Sequence, residues 1–242
     1  MSVFFLSDLH LRSPRDRVAQ LLLKFLRELP GQGDTLILGG DLFDLFVGNK
    51  TAFTEPFAEL LKEIRELSPK GVEVHYAEGN HDFQLKDVFE PRVKIHADSF
   101  ALEVAGKKIW VAHGDRIDPE DRGYHLLRFV TRSMPVRALI DHLPNKVLRG
   151  LGEWSSRQSR KYNNADRLEP YVIARTKKLF RDYAKARWSE GYDWVFLGHS
   201  HLADHWREGE KSYINLGYSD EALLYAQGNP ATGSLEPLLY RG

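Results

Sequence analysis

Short apolar runs alternate with segments of helical periodicity, and this alternation constrains the fold more than any other feature of the chain. The runs at Val3–Leu6, Thr35–Leu38 and Val72–Ala77 have the length and composition of buried strands. Between them, Arg15–Leu29 and Phe57–Leu67 repeat apolar residues at a helical period. A strand–helix–strand connection joins parallel strands through a right-handed crossover, so the pattern predicts an α/β fold built on a parallel sheet.

Chemically active side chains follow directly after five apolar runs. Besides the three runs above, strand-like stretches at 107–112 and 193–197 also end in polar motifs. The groups that follow the five runs are Asp8 and His10, Asp41, Asn80 and His81, His113, and His199 and His201. Taken singly, each has a structural explanation, such as capping a turn. Because ligands bind beyond the carboxyl ends of strands in α/β sheets, we expect all of these groups at the same edge of one sheet, where they would form a site.

The donor types in this set favour a pair of metal ions. The chain has no cysteine, so a metal must be held by His, Asp, Glu or Asn. Oxygen donors mixed with imidazole suit Mn, Fe or Zn better than Ca. The donors are too many for one ion and suit two ions that share a bridging carboxylate. Two ions roughly 3.5–4 Å apart can bind both the attacking and the leaving oxygen of an in-line displacement at phosphorus.

The middle of the chain differs from the rest in both pattern and charge. Residues 120–189 contain helical patterns and no strand signal, which predicts a helical insert, or lid, within a single domain that spans 1–242. Residues 123–190 carry more Lys/Arg than Asp/Glu, although the whole chain has 34 of each. Apolar residues lie among these cations. The insert therefore either packs on itself or on the sheet, or forms an apolar groove with a basic rim that suits acyl chains or an anionic bilayer.

The N-terminal segment does not have the pattern of a signal peptide. Its apolar run is short, and it has neither a basic flank nor a small-residue cleavage site. No stretch approaches the ~20 apolar residues that a transmembrane helix needs. The absence of cysteine fits a reducing compartment, so we expect a cytoplasmic protein.

Five motifs resemble those of the calcineurin-like metallophosphoesterases, in the same order: DLH (8–10), GDLFD (40–44), GNHD (79–82), HGD (113–115) and GHSH (198–201). The resemblance implies an α/β (α+β) fold, namely a metallophosphoesterase-type β-sandwich core flanked by helices and carrying the insert as a cap. It also implies two divalent ions, Mn in the first place and Fe or Zn as alternatives.

The same resemblance implies a role for each residue of the site. One ion would be held by Asp8, His10, Asp41 and His201, and the other by Asp41, Asn80, His113 and His199, with Asp41 bridging the two. His81 would be the proton donor or oxyanion stabiliser at the leaving group. Asp44 would supply the carboxylate that orients His81. The segment 215–217 resembles the last strand-to-loop turn of the family and suggests no chemistry.

Within that family, the chain is similar to the UDP-2,3-diacylglucosamine hydrolases of lipid A synthesis. The likeness lies in the nearly N-terminal DLH and in HGDRIDPEDRGYHLLR (113–128), which a basic helical segment follows. It implies cleavage of a pyrophosphate to give UMP and 2,3-diacylglucosamine 1-phosphate, by a monomer bound peripherally to the anionic inner-membrane surface. Residues near the head group would be Asp121, Tyr124, Arg157, Arg160, Lys161 and Asn164. The group usually has Arg at the position of His81.

Other functions stay open on the sequence alone. The same site suits another phosphodiester or pyrophosphate, such as a cyclic nucleotide or a dinucleoside polyphosphate, and His81 favours this alternative. Nucleic acid is disfavoured as a partner, because the aromatic residues of the insert are not interleaved with its cations as a stacking platform requires. A non-catalytic interaction scaffold is expected to lack some ligands, whereas every expected position is filled here.

Overall fold

The computed structural model describes residues 1–120, 147, 150, 169–218 and 220–241. Its strands are β1 (Val3–Leu6), β2 (Thr35–Leu38), β3 (Phe46–Val47), β4 (Glu73–Ala77), β5 (Asp82–Phe83), β6 (Lys94–His96), β7 (Phe100–Val104), β8 (Lys107–Ala112), β9 (Trp194–Leu197), β10 (Asp204–Glu208), β11 (Lys211–Asn215), β12 (Leu223–Asn229) and β13 (Ser234–Tyr240). Its helices are α1 (Arg17–Glu28), α2 (Thr51–Thr54), α3 (Ala58–Glu66), α4 (Lys86–Phe89) and α5 (Pro170–Ser189), with a 3-10 turn at Ser68–Lys70.

The strands form two large sheets and one small one. The six-stranded sheet has the order β13-β12-β1-β2-β4-β6, and its β1, β2, β4 and β6 are parallel, as the alternation of strands and helices predicts for the first three. The five-stranded sheet has the order β10-β11-β9-β8-β7, with parallel strands β11, β9 and β8 between antiparallel edges. The small sheet is the parallel pair of β3 and β5.

The expectation that all site residues lie at the edge of one sheet is wrong. β1, β2 and β4 belong to the six-stranded sheet, whereas β8 and β9 belong to the five-stranded sheet. The sequence does not separate these cases, because strands buried on both faces read as continuous apolar runs in either arrangement. The carboxyl ends of both sets still meet, since the His199 N–H, after β9, donates to Asp8 Oδ1, after β1, at 2.8 Å.

The two large sheets pack face to face, and helices cover their outer faces. Along β1, Val3 and Phe5 point between the sheets, where the rings of Phe5 and Phe196 stack with centroids 4.7 Å apart. Phe4 and Leu6, which alternate with them, point into the core beneath α1 and α3. On the other side, α5 packs against the outer face of the five-stranded sheet. The α/β fold with a β-sandwich core flanked by helices is therefore confirmed.

Of the insert predicted at 120–189, the structure describes mainly α5, which is helical as expected. The six residues that the sequence places near the head group lie outside the described residues: Asp121, Tyr124, Arg157, Arg160, Lys161 and Asn164. Within the described part of the chain, no helix is both long enough and apolar enough to cross a membrane.

Candidate metal centre

The predicted ligands lie on the tight turns that follow five strands, and the backbone is strained at five of these seven residues. Among the described residues other than glycine, five of the seven that have left-handed φ angles are predicted ligands: Asp8 (55°), His10 (47°), Asp41 (54°), His199 (65°) and His201 (58°). This conformation is unfavourable for a residue with a Cβ and persists only where the surroundings fix it. The strain is therefore concentrated at the residues that the motifs assign to the metals.

The first group of ligand atoms comes from the turns after β1 and β9. Asp8, His10 and His201 each offer one ligand atom within 4.8 Å of the others. The Nε2 atoms of His10 and His201 lie 3.0 Å apart, and His201 Nε2 lies 3.7 Å from Asp8 Oδ1. The other oxygen of Asp8, Oδ2, is buried and accepts no hydrogen bond from the described residues. A buried carboxylate oxygen without a donor, beside two facing imidazole nitrogens, is the arrangement expected of a cation site.

The second group comes from the turns after β2, β4, β8 and β9. Asn80 Oδ1 lies 3.0 Å from both His113 Nε2 and His199 Nδ1. His113 Nδ1 lies 3.0 Å from the carbonyl oxygen of Gly39, which can only accept, so Nδ1 carries the hydrogen and donates it. This bond leaves Nε2, the nitrogen that faces the cluster, as the lone-pair donor to a metal.

Asp41 lies between the two groups. Its Oδ2 is 3.2 Å from His113 Nε2 and 3.9 Å from His10 Nε2, which belong to different groups. Its Oδ1 accepts a hydrogen bond of 2.8 Å from the His81 main-chain N–H. A carboxylate placed between two sets of imidazoles has the position that a bridging ligand requires.

Electrostatics leave some of these ligands neutral and others charged in the absence of metal. Burial raises the pKa of Asp8 to about 7 and lowers the pKa of His10 to about 3, so the His10 imidazole is ready to bind a cation. Burial alone would lower the pKa of His113, but the carboxylates of Asp41 and Asp8 outweigh burial and raise this pKa to about 10. Burial would likewise raise the pKa of Asp41, but His113 and His81 hold it well below its usual range. His113 must therefore lose a proton when a cation binds.

His81 lies beside the metal ligands, with its ring edge-on to His10 at 4.8 Å between centroids. The sequence assigns its orientation to the Asp44 carboxylate, whereas His81 Nδ1 donates to the main-chain carbonyl oxygen of Asp44 at 2.6 Å. The pairing of β3 with β5 runs the main chain of residues 44–47 alongside that of residues 81–83, which brings this carbonyl to the ring. The Asp44 carboxylate lies 4.0 Å from His10 Nδ1 and also has an oxygen within 4.8 Å of a His81 ring nitrogen. Asp44 therefore fixes which His81 nitrogen carries the hydrogen, through its backbone.

Asp82, the last residue of GNHD, has a structural role that the sequence reasoning missed. It is fully buried and accepts four hydrogen bonds, from the main-chain N–H groups of Asp41 (3.0 Å), Leu42 (2.8 Å) and Gly79 (2.9 Å) and from the hydroxyl of Tyr76 (2.6 Å). One carboxylate thereby joins the turn after β2 to the turn after β4. The bond to an N–H three residues earlier, in a glycine-containing turn, is the local signal that could have indicated this role.

The structural role of Asn215 was also missed by the sequence reasoning. Asn215 Nδ2 donates to the carbonyl oxygen of Gly198 at 2.8 Å and to Ser200 Oγ at 3.1 Å, so Asn215 holds the turn that carries His199 and His201. Its Oδ1 accepts the Gly217 N–H at 3.0 Å, a local bond typical of Asn two residues before a glycine.

Two glycines leave room for the ligands. A Cβ at Gly79 would lie 2.0 Å from Asp41 Oδ1, and a Cβ at Gly198 would lie 2.4 Å from Asp8 Oδ2. No side chain fits at these distances, so both positions require glycine if the carboxylates are to keep their places. These contacts explain why two of the motifs begin with glycine.

The residues brought together here fit a pair of divalent ions. The donors are imidazole nitrogens and carboxylate or amide oxygens in two groups, and Asp41 lies within 3.9 Å of an imidazole of each. His10, Asp44 and His81 also bring ligand atoms within 4.8 Å of one another. This donor set suits divalent ions of intermediate hardness. The orphaned Asp8 oxygen and the Gly39 bond that directs the His113 lone pair inward are both accounted for by bound cations.

Comparisons with known proteins agree with this geometry. The family model described as calcineurin-like phosphoesterase matches residues 1–203. The chain is 33% identical over 172 residues, 70% of this chain and 68% of the relative, to the UDP-2,3-diacylglucosamine hydrolase of Neisseria meningitidis serogroup B. It is 29% identical over 208 residues, 83% of this chain and 82% of the relative, to the protein of that name from Stenotrophomonas maltophilia.

Among solved structures, a novel archaeal phosphodiesterase aligns over 99% of each chain at 16% identity, with a TM-score of 0.47 that is too low to add to the assignment. The family model alone covers more than half of the chain, and the five motifs all lie within the residues that it matches. The chain therefore belongs to the calcineurin-like phosphoesterase family and is a metal-dependent hydrolase of phosphoesters.

Proposed function

We propose that this protein hydrolyses the diphosphate bond of UDP-2,3-diacylglucosamine to give UMP and 2,3-diacylglucosamine 1-phosphate. The observation that carries the proposal is the complete two-group ligand set joined by Asp41, together with similarity to hydrolases of that name over two thirds of their length. The metals are proposed to be two Mn ions. The head-group contacts are proposed to come from the insert, through Asp121, Tyr124, Arg157, Arg160, Lys161 and Asn164.

The residues of the chain divide the chemistry between binding and proton transfer. When bound, two divalent ions supply Lewis-acid polarisation of the phosphoryl group and activation of water. Asp41 holds the two ligand groups at a fixed separation, and Asp82 fixes the main chain of Asp41. His81 donates a hydrogen bond from Nδ1–H to the carbonyl oxygen of Asp44. Nε2 is therefore the nitrogen that can exchange a proton with the departing group.

The charge of the chain supports an anionic, lipid-linked substrate. Basic residues outnumber acidic ones in 123–190, whereas the chain as a whole is neutral. Tyr171, near the start of α5, is 78% exposed, and an exposed tyrosine suits the boundary between water and lipid head groups. We propose that the segment 120–189 acts as a lid that receives the acyl chains, and that it docks a cytoplasmic monomer on the anionic inner-membrane surface.

A second candidate is a soluble phosphodiester or pyrophosphate, such as a cyclic nucleotide or a dinucleoside polyphosphate. The tethered His81 favours this alternative, because protonation helps an alkoxide leaving group more than it helps a phosphate. The basic, apolar insert favours the lipid substrate instead.

Turnover of a substrate panel tests the proposal. The purified protein, with Mn, Mg, Zn or no metal added, is given UDP-2,3-diacylglucosamine, a cyclic nucleotide, a dinucleoside polyphosphate and a small chromogenic phosphodiester. The proposal expects the acylated nucleotide to have the highest kcat/KM. Efficient hydrolysis of a soluble substrate without turnover of the acylated nucleotide would contradict it.

The double variant of Arg157→Ala and Arg160→Ala tests the proposed role of the insert. These residues are proposed to bind the head group, so the variant should raise KM for the acylated nucleotide. Because exposed charges are screened beyond ~8 Å at physiological ionic strength, added salt should likewise raise the KM of the native protein for the acylated nucleotide. An equal loss on the small phosphodiester would show that the pair acts on the metal centre and not on the lipid substrate.

A further inference from the structure

We infer that a cleft beside the metal centre binds the departing phosphate of a diphosphate ester, and that Arg12 and Arg17 hold that phosphate. The inference rests on the proposed function in one respect, namely that the substrate contains a diphosphate. It does not depend on the lipid or on the insert, because the residues concerned lie outside 120–189. Neither arginine belongs to the metal ligand set.

The cleft is contiguous with the metal centre. It has a volume of about 190 Å³, and His10, a metal ligand, lines it together with the two arginines. The ring of Tyr218 forms another wall, edge-on to His10 at 5.7 Å and stacked on His201 at 5.4 Å between centroids. A ligand group in the cleft would thus lie next to the first group of metal ligands.

Arg12 lies on the side of the metal centre that carries His81, the proposed proton donor. Its Nε is 3.9 Å from Asp44 Oδ2, and the carbonyl oxygen of Asp44 accepts the hydrogen bond from His81 Nδ1. The main chain here is firmly held: the Leu11 N–H donates to the Leu42 carbonyl at 2.9 Å, and the Arg12 N–H donates to Asp16 Oδ2 at 2.8 Å. The main chain of Arg12 is therefore held in place near His81, the proposed proton donor.

Both guanidinium groups are available to a ligand. The Arg12 side chain is 55% exposed, and the one ion pair that it makes within the described part of the chain, at 3.9 Å, is too long and too exposed to contribute much. Among the described residues, the Arg17 side chain has neither a hydrogen bond nor an ion pair. Two carboxylates also line the cleft, but Asp16 Oδ2 accepts the main-chain N–H groups of Arg12 and Ser13, and Asp220 is exposed to solvent. Guanidinium groups bind phosphate oxygens in pairs, which suits a phosphate held between two arginines.

The chemistry of diphosphate cleavage requires such a group. Water forms a new P–O bond at one phosphorus, the bond from that phosphorus to the bridging oxygen breaks, and the electron pair leaves on the other phosphate. The departing phosphate gains negative charge, which His81 relieves by giving a proton and which two arginines would stabilise further. A diester with a single phosphate has no such group, so the cleft distinguishes diphosphates from simple diesters.

The test compares two inhibitors of chromogenic phosphodiester hydrolysis by the metal-loaded protein. One is methylene-bridged uridine diphosphate, which carries a second phosphate, and the other is UMP, which does not. Arg12→Ala should raise the inhibition constant of the bridged diphosphate relative to that of UMP. The ratio of the first constant to the second should increase by roughly 10- to 100-fold, the range for loss of a charge-assisted hydrogen bond. Arg17→Ala should shift the ratio in the same direction, and Arg12→Lys should restore part of it. Arg15→Ala is the matched control, since Arg15 is an exposed residue of the same loop that does not line the cleft.

Each contrary outcome has a definite meaning. An unchanged ratio in Arg12→Ala would overturn the inference. If both inhibition constants rise equally, so that the ratio stays the same, Arg12 acts through Asp44 and His81 and not on the second phosphate. A native protein that binds the bridged diphosphate no better than UMP would overturn it as well. Failure to hydrolyse UDP-2,3-diacylglucosamine, with the ratio behaving as expected, would refute the proposed function and leave the cleft intact.

Discussion

Replacing Asp82 with alanine should separate the turn after β2 from the turn after β4, since one carboxylate joins them. Asp82 and Tyr76 are both fully buried, so the change strands four donors in the interior: three main-chain N–H groups and the Tyr76 hydroxyl. That hydroxyl stays protonated in the variant, because burial, the largest cause of the raised pKa of Tyr76, remains when Asp82 is removed.

The magnitude follows from the number and kind of bonds lost. A hydrogen bond to a charged group contributes about 1.5–3 kcal/mol, and removing one partner from a buried charged network costs about 3–5 kcal/mol. Four bonds would exceed that range if they were additive, but water that enters the vacated space recovers part of the loss. We therefore expect Asp82→Ala to lower the free energy of unfolding by about 3–5 kcal/mol, a large share of the 5–15 kcal/mol typical of a domain. Tyr76→Phe, which removes one of the four bonds, should cost about 1–3 kcal/mol.

Urea unfolding measures this loss. The protein should be metal-free and kept in chelator, so that metal binding to the native state does not contribute to the measured stability. The urea concentration at the midpoint of unfolding should fall, while the slope of the free energy of unfolding against urea concentration stays constant. Asp87→Ala, an exposed carboxylate on α4, is the control and should change stability by no more than about 0.5 kcal/mol. A loss below 1 kcal/mol in Asp82→Ala would refute the reasoning.

Three further predictions concern the metal centre itself. Asp41→Ala should lose one or both ions by elemental analysis, together with turnover, while circular dichroism shows the fold retained; full occupancy with a near-normal rate would contradict the bridging role. His81→Ala should keep both ions and lose roughly 10²–10⁴-fold in rate, the usual range for a general acid, and loss of metal would instead place His81 among the ligands. Because the pKa of metal-free His113 is raised to about 10 and that of Asp8 to about 7, metal binding at neutral pH should release about one proton from His113 and a further fraction of one from Asp8, and affinity should rise with pH. Calorimetry in buffers of different ionisation enthalpy counts the protons released on metal binding. A metal affinity that does not change with pH would contradict this prediction.

The sequence allowed the positions of the proposed ligands to be predicted because these residues follow short apolar strands, whereas their roles as ligands come from the family resemblance. The chain order of strands and helices fixes β1, β2 and β4 as parallel neighbours, so the polar residues after them had to meet. The division into two sheets was not predictable by the same reasoning, since β9 is as apolar as β1 and the second half of β8 is apolar too. Only the pairing partners, which are distant along the chain, distinguish the two sheets.

The supporting residues were harder to predict because their roles depend on contacts between turns. Asp82 lies in a recognised motif, but its partners at Asp41 and Leu42 are 41 and 40 residues away. The carbonyl that holds His81 belongs to Asp44, and it reaches the ring only because two-residue strands, too short to show periodicity, pair beside it. Side-chain type indicated that Asp44 takes part, and the backbone pairing supplies a hydrogen bond to His81 that side-chain type did not indicate.

The most direct test of the account is turnover of UDP-2,3-diacylglucosamine measured against the number of divalent ions bound per chain. Metal is removed with chelator and returned stepwise as Mn, and UMP and 2,3-diacylglucosamine 1-phosphate are quantified by mass spectrometry at each step. Because Asp41 places two ligand groups around one carboxylate, the account predicts that turnover is absent in the metal-free protein and becomes maximal only as the second ion binds. Maximal turnover with one ion, undiminished turnover in chelator, or no formation of these products at full metal occupancy would contradict it.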